Sequence, residues 1–294
     1  MSVVAWLPDD PADRRSWEAA LEELVRENRF TIAVVFPAIG ALSLVASAEG
    51  WLPEPLAFNP LLVLTGVLVM RSPLVVGVLP VVDRRGALGV AALAAYSYAI
   101  EIVGVTTGWP YGFFEYGVSL GPMLGGVPVA LPVFFLPLVA NAYLLCLLLL
   151  GTLADRALPR LLSVIALVLA MDVVLDPGAV ALGFWLYEGG GAFYGVPWSN
   201  YAGWMLSATV AVVVLDATFD RTALGARLER CEFALDDMVS FVLLWGGVNA
   251  VYGNWLPAVV AAGIGAGLLR TDRFDAPMLP WVGDRTDGAA DDRR

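Results

Sequence analysis

Two carboxylates near the middle of an otherwise apolar stretch are the residues best suited to chemistry. The stretch is Leu161–Phe184, and residues 171 to 178 read Met-Asp-Val-Val-Leu-Asp-Pro-Gly. Asp172 and Asp176 are four residues apart, so on a helix they lie on one face. Pro177 removes a backbone donor, and buried carboxylates are costly unless they are paired or protonated. The pattern predicts a functional site at a helix break; the alternative is a polar clamp between helices.

Glu101 and Asn141 are the polar residues expected to accompany these acids. Glu101 lies about two turns below the end of its predicted span, with Tyr98 one turn beneath it, and Asn141 lies midway along the next span. If spans three, four and five are neighbours, Glu101, Asn141 and the two aspartates share one cavity. Three other residues are given structural roles: Asp216 and Asp220 as solvated boundary residues and Asn249 as a polar link between helices.

The composition places this site in a membrane. Of the 294 residues 59% are hydrophobic, and they form repeated apolar runs of the ~20 residues that cross ~30 Å of hydrocarbon. All 17 basic residues are arginine, and the chain has no histidine. This excludes a retinal Schiff base, lysine-based covalent catalysis and histidine-ligated haem, zinc or di-iron centres. The net charge of −11 argues against nucleic acid as a partner and favours a salt-adapted source.

The pattern predicts an all-α polytopic membrane protein in three parts. Residues 1–29 are a cytoplasmic segment with an amphipathic surface helix over Pro11–Asn28, residues 30–269 are the membrane domain, and residues 270–294 are an acidic cytoplasmic tail. The eight predicted spans are Phe30–Ala48, Leu61–Val82, Ala87–Thr107, Val127–Gly151, Leu161–Phe184, Tyr201–Phe219, Phe233–Tyr252 and Leu256–Leu269. The last span is short, so it is tilted, re-entrant or incomplete.

The arginines predict the orientation in the cell membrane. Sixteen of the 17 fall in the terminal segments or in alternate loops, so both termini are expected to be cytoplasmic. Arg71 is the exception, because it lies midway along span two. It is expected to face the interior and to pair with an acid; the alternative is a displaced span boundary.

The two long loops on the arginine-free side are rich in glycine, proline and aromatic residues. They cover residues 108–122 and 185–201, and each carries one acid, Glu115 or Glu188. The Tyr-Gly and Pro pairs predict defined turns, so the loops are expected to fold as a lid. An interfacial aromatic belt is the alternative interpretation of the Tyr and Trp residues.

Buried acids and aromatics without metal ligands favour acid–base chemistry on a lipid-soluble substrate. One carboxyl held protonated in apolar surroundings could protonate an isolated alkene and generate a tertiary carbocation. Aromatic faces and an ionised partner carboxylate would stabilise that cation. Water activated by a carboxylate would then complete a hydration.

Between Leu93 and Trp204 the sequence resembles the membrane carotenoid hydratases of the CruF type. The motifs that carry the resemblance are Glu101 leading into Thr107-Gly108-Trp109-Pro110-Tyr111-Gly112 and Tyr116, then Asp172…Asp176-Pro177, then Tyr194-Gly195-Val196-Pro197…Asn200-Tyr201…Gly203-Trp204. The resemblance implies cofactor-independent addition of water to the terminal double bonds of a C50 carotenoid, which yields tertiary alcohols. It does not say which carboxylate is the acid.

Glu101, Asp172 and Asp176 are therefore the candidate catalytic residues, with no metal and no cofactor. The expected substrate-binding or supporting residues are Arg71, Tyr98, Trp109, Tyr111, Glu115, Tyr116, Asn141, Glu188, Tyr194, Asn200 and Trp204. The expected partners are the carotenoid, membrane lipids and other membrane enzymes of carotenoid synthesis.

Two other functions fit parts of the pattern. A prenyltransferase of the UbiA type also binds isoprenoids and carries a DxxxD motif, the spacing of Asp172 and Asp176. No early span here carries the second Asn-Asp-x-x-Asp motif that such enzymes use to hold Mg²⁺ and diphosphate. A transporter would explain broken helices and intramembrane acids, but the chain shows no convincing inverted repeat.

Overall fold

The computed structural model describes residues 11–272, most of which are helical. The helices are α1 Pro11–Glu27, α2 Phe36–Ala48 after a π-helical turn over Thr31–Val35, α3 Pro60–Val78, α4 Arg84–Thr107, α5 Leu131–Leu150, α6 Ala157–Ala181, α7 Trp198–Thr218, α8 Arg221–Arg230, α9 Asp236–Val251 and α10 Trp255–Arg270. Local sequence sets several ends. The Asn59 side chain caps α3 just before Pro60, and the Asp83 side chain caps α4. Gly108 ends α4 at φ +74°.

Six helical segments among the described residues are long and apolar enough to cross a membrane. They are Thr31–Ala48, Pro60–Val81, Arg84–Thr107, Leu131–Asp155, Ala157–Ala181 and Trp198–Thr218. They confirm the first six predicted spans within a few residues, so the protein is an all-α, multi-pass membrane protein. Helices α9 and α10 have 16 residues each, or about 24 Å at ~1.5 Å per residue. The count of eight spans and the orientation of the termini stay predictions.

Helix α6 occupies the centre of the bundle. It packs against α5, α7, α9 and α10, while α4 packs against α5 and α7. Helix α9 also packs against α2 and α3. The bundle thus has two groups of helices, one with α4, α5, α6 and α7 and one with α2, α3 and α9, and they meet where α6 packs against α9. The expected contacts of span three with span four, and of span four with span five, are thus present.

The two long loops are joined by a short antiparallel ladder. Strand β1, Phe114–Tyr116, pairs with strand β4, Trp185–Tyr187, and Glu115 lies opposite Leu186. Strands β2, Met123–Leu124, and β3, Val127–Pro128, form a hairpin in the first loop. Because side chains alternate along a strand, Glu115 and Leu186 are exposed, and their neighbours along each strand are turned inward.

The predicted N-terminal helix is present as α1. Val25 is buried and Leu21 packs against the core, whereas Trp17 and Leu24 are exposed. Its place on the membrane surface stays a prediction, as does the division into three parts. Residues 1–10 and the acidic tail from residue 273 lie outside the described residues.

The expectation that Asp216 is a solvated boundary residue is wrong. Its carboxylate forms an ion pair with Arg160 at 2.6 Å and accepts a hydrogen bond from Tyr143 Oη, also at 2.6 Å. Arg160 is buried, so it needs a carboxylate partner inside the bundle. Asp220 instead caps α8 by accepting from the backbone N–H groups of Thr222 and Ala223.

Candidate active site

Asp172 and Asp176 are both buried and are joined by one amide. Asn200, in the first turn of α7, donates through Nδ2 to Asp172 Oδ2 at 3.0 Å and also to Asp176 Oδ2. The Tyr187 hydroxyl, from strand β4, lies 3.3 Å from Asp176 Oδ2 and donates to it. The second oxygen of Asp172 is buried and has no hydrogen-bond partner within residues 11–272. The two acids form a dyad that α7 and the loops hold in place.

Glu101 joins the site from α4. Its Oε1 accepts a hydrogen bond of 2.5 Å from the Tyr116 hydroxyl, which strand β1 supplies. Burial, followed by the nearby carboxylates, raises the pKa of Tyr116 and Tyr187 well above the usual tyrosine range. Both phenols therefore stay protonated near neutral pH and serve as hydrogen-bond donors. The paired strands thus supply one phenol donor to each of two carboxyl groups: Tyr116 of β1 donates to Glu101, and Tyr187 of β4 donates to Asp176.

An apolar cavity of about 160 Å³ separates the two groups of helices. Glu101, Asp176 and Asn200 line it at the acid site and Arg71 lines it from α3, whereas the buried Asp172 does not line it. The aromatic lining residues are Tyr111, Phe114, Tyr116, Phe134, Phe135, Phe184, Trp185, Tyr187, Trp204, Phe241 and Trp245. An apolar cavity of roughly 150 Å³ can hold a benzene molecule. The cavity therefore has room for a group of about six carbon atoms.

Tyr111 and Trp204 form one aromatic wall of this cavity. The Tyr111 ring fits against α7 because residue 203 is glycine: a Cβ atom there would lie 2.4 Å from Tyr111 Cδ1. The Tyr111 hydroxyl bonds to Ser207 Oγ at 2.7 Å. Trp204 stacks on Phe135 with ring centroids 5.6 Å apart. These contacts confine Tyr111, a side chain of the first long loop, to one position in the cavity wall.

Arg71 faces the interior and pairs with an acid, as the sequence predicts. The acid is Asp237, at the start of α9, with 2.5 Å between Arg71 Nη1 and Asp237 Oδ1. Asn141 Nδ2 donates to the other oxygen of this carboxylate, also at 2.5 Å. Neither Asn141 nor Asp172 lines the cavity, so the expectation that these two residues share it with Glu101 and Asp176 is wrong. The fully buried Asp237 draws the Asn141 amide toward α9 instead.

The other predicted supporting residues lie outside the cavity. The Tyr98 hydroxyl donates to the Val129 carbonyl oxygen, just after β3. Four residues are exposed on the two long loops: Trp109, Glu115, Glu188 and Tyr194. Glu115 is exposed because it takes the outward-facing position of β1. Glu188 is exposed in the turn that follows β4.

Asp237 and Tyr187 are the main residues that sequence reasoning did not assign to this region. Asp237 carried the same signal as Asp172, because Asp236 and Asp237 both fall inside the predicted seventh span. Tyr187 carried a weaker signal: it and Trp185 are two residues apart, the spacing of side chains on one face of a strand, and a glycine turn follows. Within residues 11–272, no group of three or more Cys, Asp or Glu side chains is arranged to hold a metal ion.

Buried carboxyls beside an apolar cavity, inside a bundle of membrane-spanning helices, define a multi-pass membrane protein with an intramembrane acid site. The chain belongs to a family described as carotenoid biosynthesis proteins, whose family model matches residues 58–268. It is 62% identical over 276 residues to the bisanhydrobacterioruberin hydratase of Haloarcula japonica, and the alignment covers 93% of each chain. No solved structure matches this chain. The family match contains every residue of the site.

Proposed function

We propose that this protein is a carotenoid hydratase of the cell membrane, which adds water to the terminal C=C bonds of a C50 carotenoid. The substrate class comes from the Haloarcula japonica relative, so the proposed conversion is bisanhydrobacterioruberin to bacterioruberin. The observation that carries the proposal is that Glu101 and Asp176 line the same apolar, aromatic cavity. An alkene placed there meets two carboxyl groups in the cavity wall.

The Asp172–Asp176 dyad is the proton source in this proposal. Two carboxylates that share one amide in apolar surroundings do not both ionise, so the dyad keeps one proton. Asp176 presents this proton to the cavity, and Asp172 acts through it. The π electrons of the alkene form a C–H bond at the less substituted carbon and leave a tertiary cation at the other.

Glu101 completes the reaction as the ionised partner. Its negative charge, held by the Tyr116 hydroxyl, and the faces of Trp204 and Tyr111 stabilise the cation. A water oxygen forms the C–O bond, and its proton passes to Glu101. Exchange with solvent then returns a proton to the dyad. The sum is alkene plus water giving tertiary alcohol, with no electron transfer and no redox cofactor.

The size of the cavity fits an enzyme that works on an end group. About 160 Å³ accommodates one isoprenoid end group and not a C50 chain. The remaining polyene would lie in the bilayer, where membrane lipids and other enzymes of carotenoid synthesis are its neighbours. The reaction would then treat each end of the carotenoid separately.

The test is hydration in D₂O. Purified protein in lipid, given bisanhydrobacterioruberin without nucleotide or added metal, should form the alcohol. Each hydrated end should gain one non-exchangeable deuterium on the carbon next to the carbinol carbon, measured by mass spectrometry and NMR. The position follows because protonation of the less substituted carbon gives the more stable cation.

Two results would contradict this mechanism. Alcohol without carbon-bound deuterium would exclude the protonation step and the roles given to the three acids. An absolute requirement for Mg²⁺, or for a diphosphate co-substrate, would favour a prenyltransferase.

A further inference from the structure

Helix α6 continues through Pro177 to Ala181, so the helix break predicted from the sequence is absent. The turn of α6 that carries Asp176 is held by a side chain of α9. Asn249 is fully buried, and its Nδ2 donates to the Val174 carbonyl oxygen at 2.7 Å and to the Trp245 carbonyl oxygen at 2.8 Å. Val174 lies two residues before Asp176. The Asn249 amide thus links the turn of α6 that carries Asp176 to a turn of α9.

A second amide holds the other side of the acid. Asn254, in the turn before α10, donates through Nδ2 to the Pro177 carbonyl oxygen at 3.2 Å and to Asn249 Oδ1 at 3.0 Å. Pro177 has no N–H, so this stretch of α6 lacks one of its own backbone hydrogen bonds. The linked amides brace carbonyl groups before and after Asp176, where the helix is weakest.

Gly178 allows α9 to approach this closely. A Cβ atom at residue 178 would lie 3.0 Å from Trp245 Cε3 and 3.2 Å from Asn249 Nδ2. Trp245 also lines the cavity. The glycine, the asparagine and the tryptophan therefore set the spacing between α6 and α9 at the level of the acid.

We propose that Asn249 is a positioning residue for Asp176, which keeps the carboxyl directed at the cavity by bracing the proline-containing turn of α6. The inference rests on the proposed function, because it concerns the acid of that reaction. Asn249 touches no reacting atom; it acts through the backbone of residues 174–177. A displacement of about 1 Å in a reacting group can cost on the order of 100-fold in rate.

The experiment measures kcat, KM and thermal stability of three full-length variants against wild type. Asn249→Leu keeps the size of the side chain and removes its donor. We expect kcat to fall about 10- to 100-fold with KM within about twofold, because the cavity is intact and the acid is misdirected. Asn249→Gln keeps the amide and should retain at least about a third of wild-type kcat. Gly178→Ala moves α9 away and should lower kcat in the same manner.

The matched control is Tyr143→Phe, which removes a hydrogen bond to Asp216 on a different pair of helices, α5 and α7. It should lower the melting temperature and leave kcat of the folded protein unchanged. A folded Asn249→Leu protein with kcat within threefold of wild type would overturn the inference, and so would wild-type kcat in Gly178→Ala. If Asn249→Leu does not fold, Gly178→Ala decides by the same criterion. Wild-type protein that does not hydrate the carotenoid would instead refute the proposed function.

Discussion

Among single residues, the cost of burying the three site carboxyls is offset by hydrogen-bond donors close to them. Asp172 and Asp176 share the Asn200 amide, Tyr187 adds a donor to Asp176, and Tyr116 serves Glu101. Amide and phenol donors lower the cost of a buried carboxyl without neutralising it by a cation. The acids therefore stay free to exchange protons, which an ion pair with arginine would oppose.

Removing a proton-exchanging group should stop turnover without unfolding the protein. We expect Asp176→Asn, Asp172→Asn and Glu101→Gln each to lower kcat by at least ~100-fold, because the amides keep the shape and cannot transfer the proton. The measurement is product formation per correctly inserted protein. Glu115→Gln and Glu188→Gln are the controls and should remain near wild type, since both side chains are exposed. Near-normal activity in all three acid variants would identify the acids as structural clamps.

At the scale of elements, α9 is anchored by ionic contacts at its N-terminal end. Asp236 pairs with Arg29 at 2.8 Å, and Asp237 pairs with Arg71 of α3. Both aspartates are fully buried, so each needs its partner. These contacts hold the start of α9 against α3 and against the segment that precedes α2.

The Arg71–Asp237 pair should show strong coupling in stability. Arg71→Gln leaves the buried Asp237 with Asn141 as its one remaining side-chain donor among residues 11–272, so we expect a loss of about 3–5 kcal/mol in the free energy of unfolding. Adding Asp237→Asn removes the unpaired acid and should recover most of this loss. Denaturation in detergent, with all four members of the double-mutant cycle, measures the coupling. A double variant no more stable than Arg71→Gln would show that the pair does not act as a unit.

At the scale of the whole molecule, the arginine distribution predicts which end of the bundle faces the cytoplasm. The joined loops with β1 and β4 lie at one end, and α8 with its arginines lies at the other. By the positive-inside rule we expect the loops to be exterior, which would place the acid site in the outer half of the bilayer.

Labelling of single cysteines tests this orientation. Ser119→Cys on the first outer loop should react with a membrane-impermeant thiol reagent in intact cells. Glu229→Cys on α8 should react only after lysis, because that end is expected to be cytoplasmic. Both native positions are exposed, and the native Cys146 and Cys231 are buried, which keeps background labelling low. The reverse pattern would place the acid site in the cytoplasmic half.

Features that are local along the chain could be predicted from the sequence. Apolar runs of membrane-spanning length predicted the first six spans, because hydrophobic length is a property of one segment. The acids at 172 and 176 were also predictable, since helical spacing places them on one face. The helix break expected at Pro177 is wrong, because α6 continues through Pro177 to Ala181. The interior position of Arg71 followed from the cost of an isolated charge in hydrocarbon.

The tertiary structure was needed to show which distant residues meet. Arg71 and Asp237 are 166 residues apart, and the paired strands β1 and β4 belong to two different loops. Asn141 is an example. The sequence showed that it lies midway along a span, but the direction of its side chain depends on the buried Asp237 carboxylate of α9. Pairing across a bundle is set by the packing of whole helices, and the periodicity of a single helix does not encode its partner.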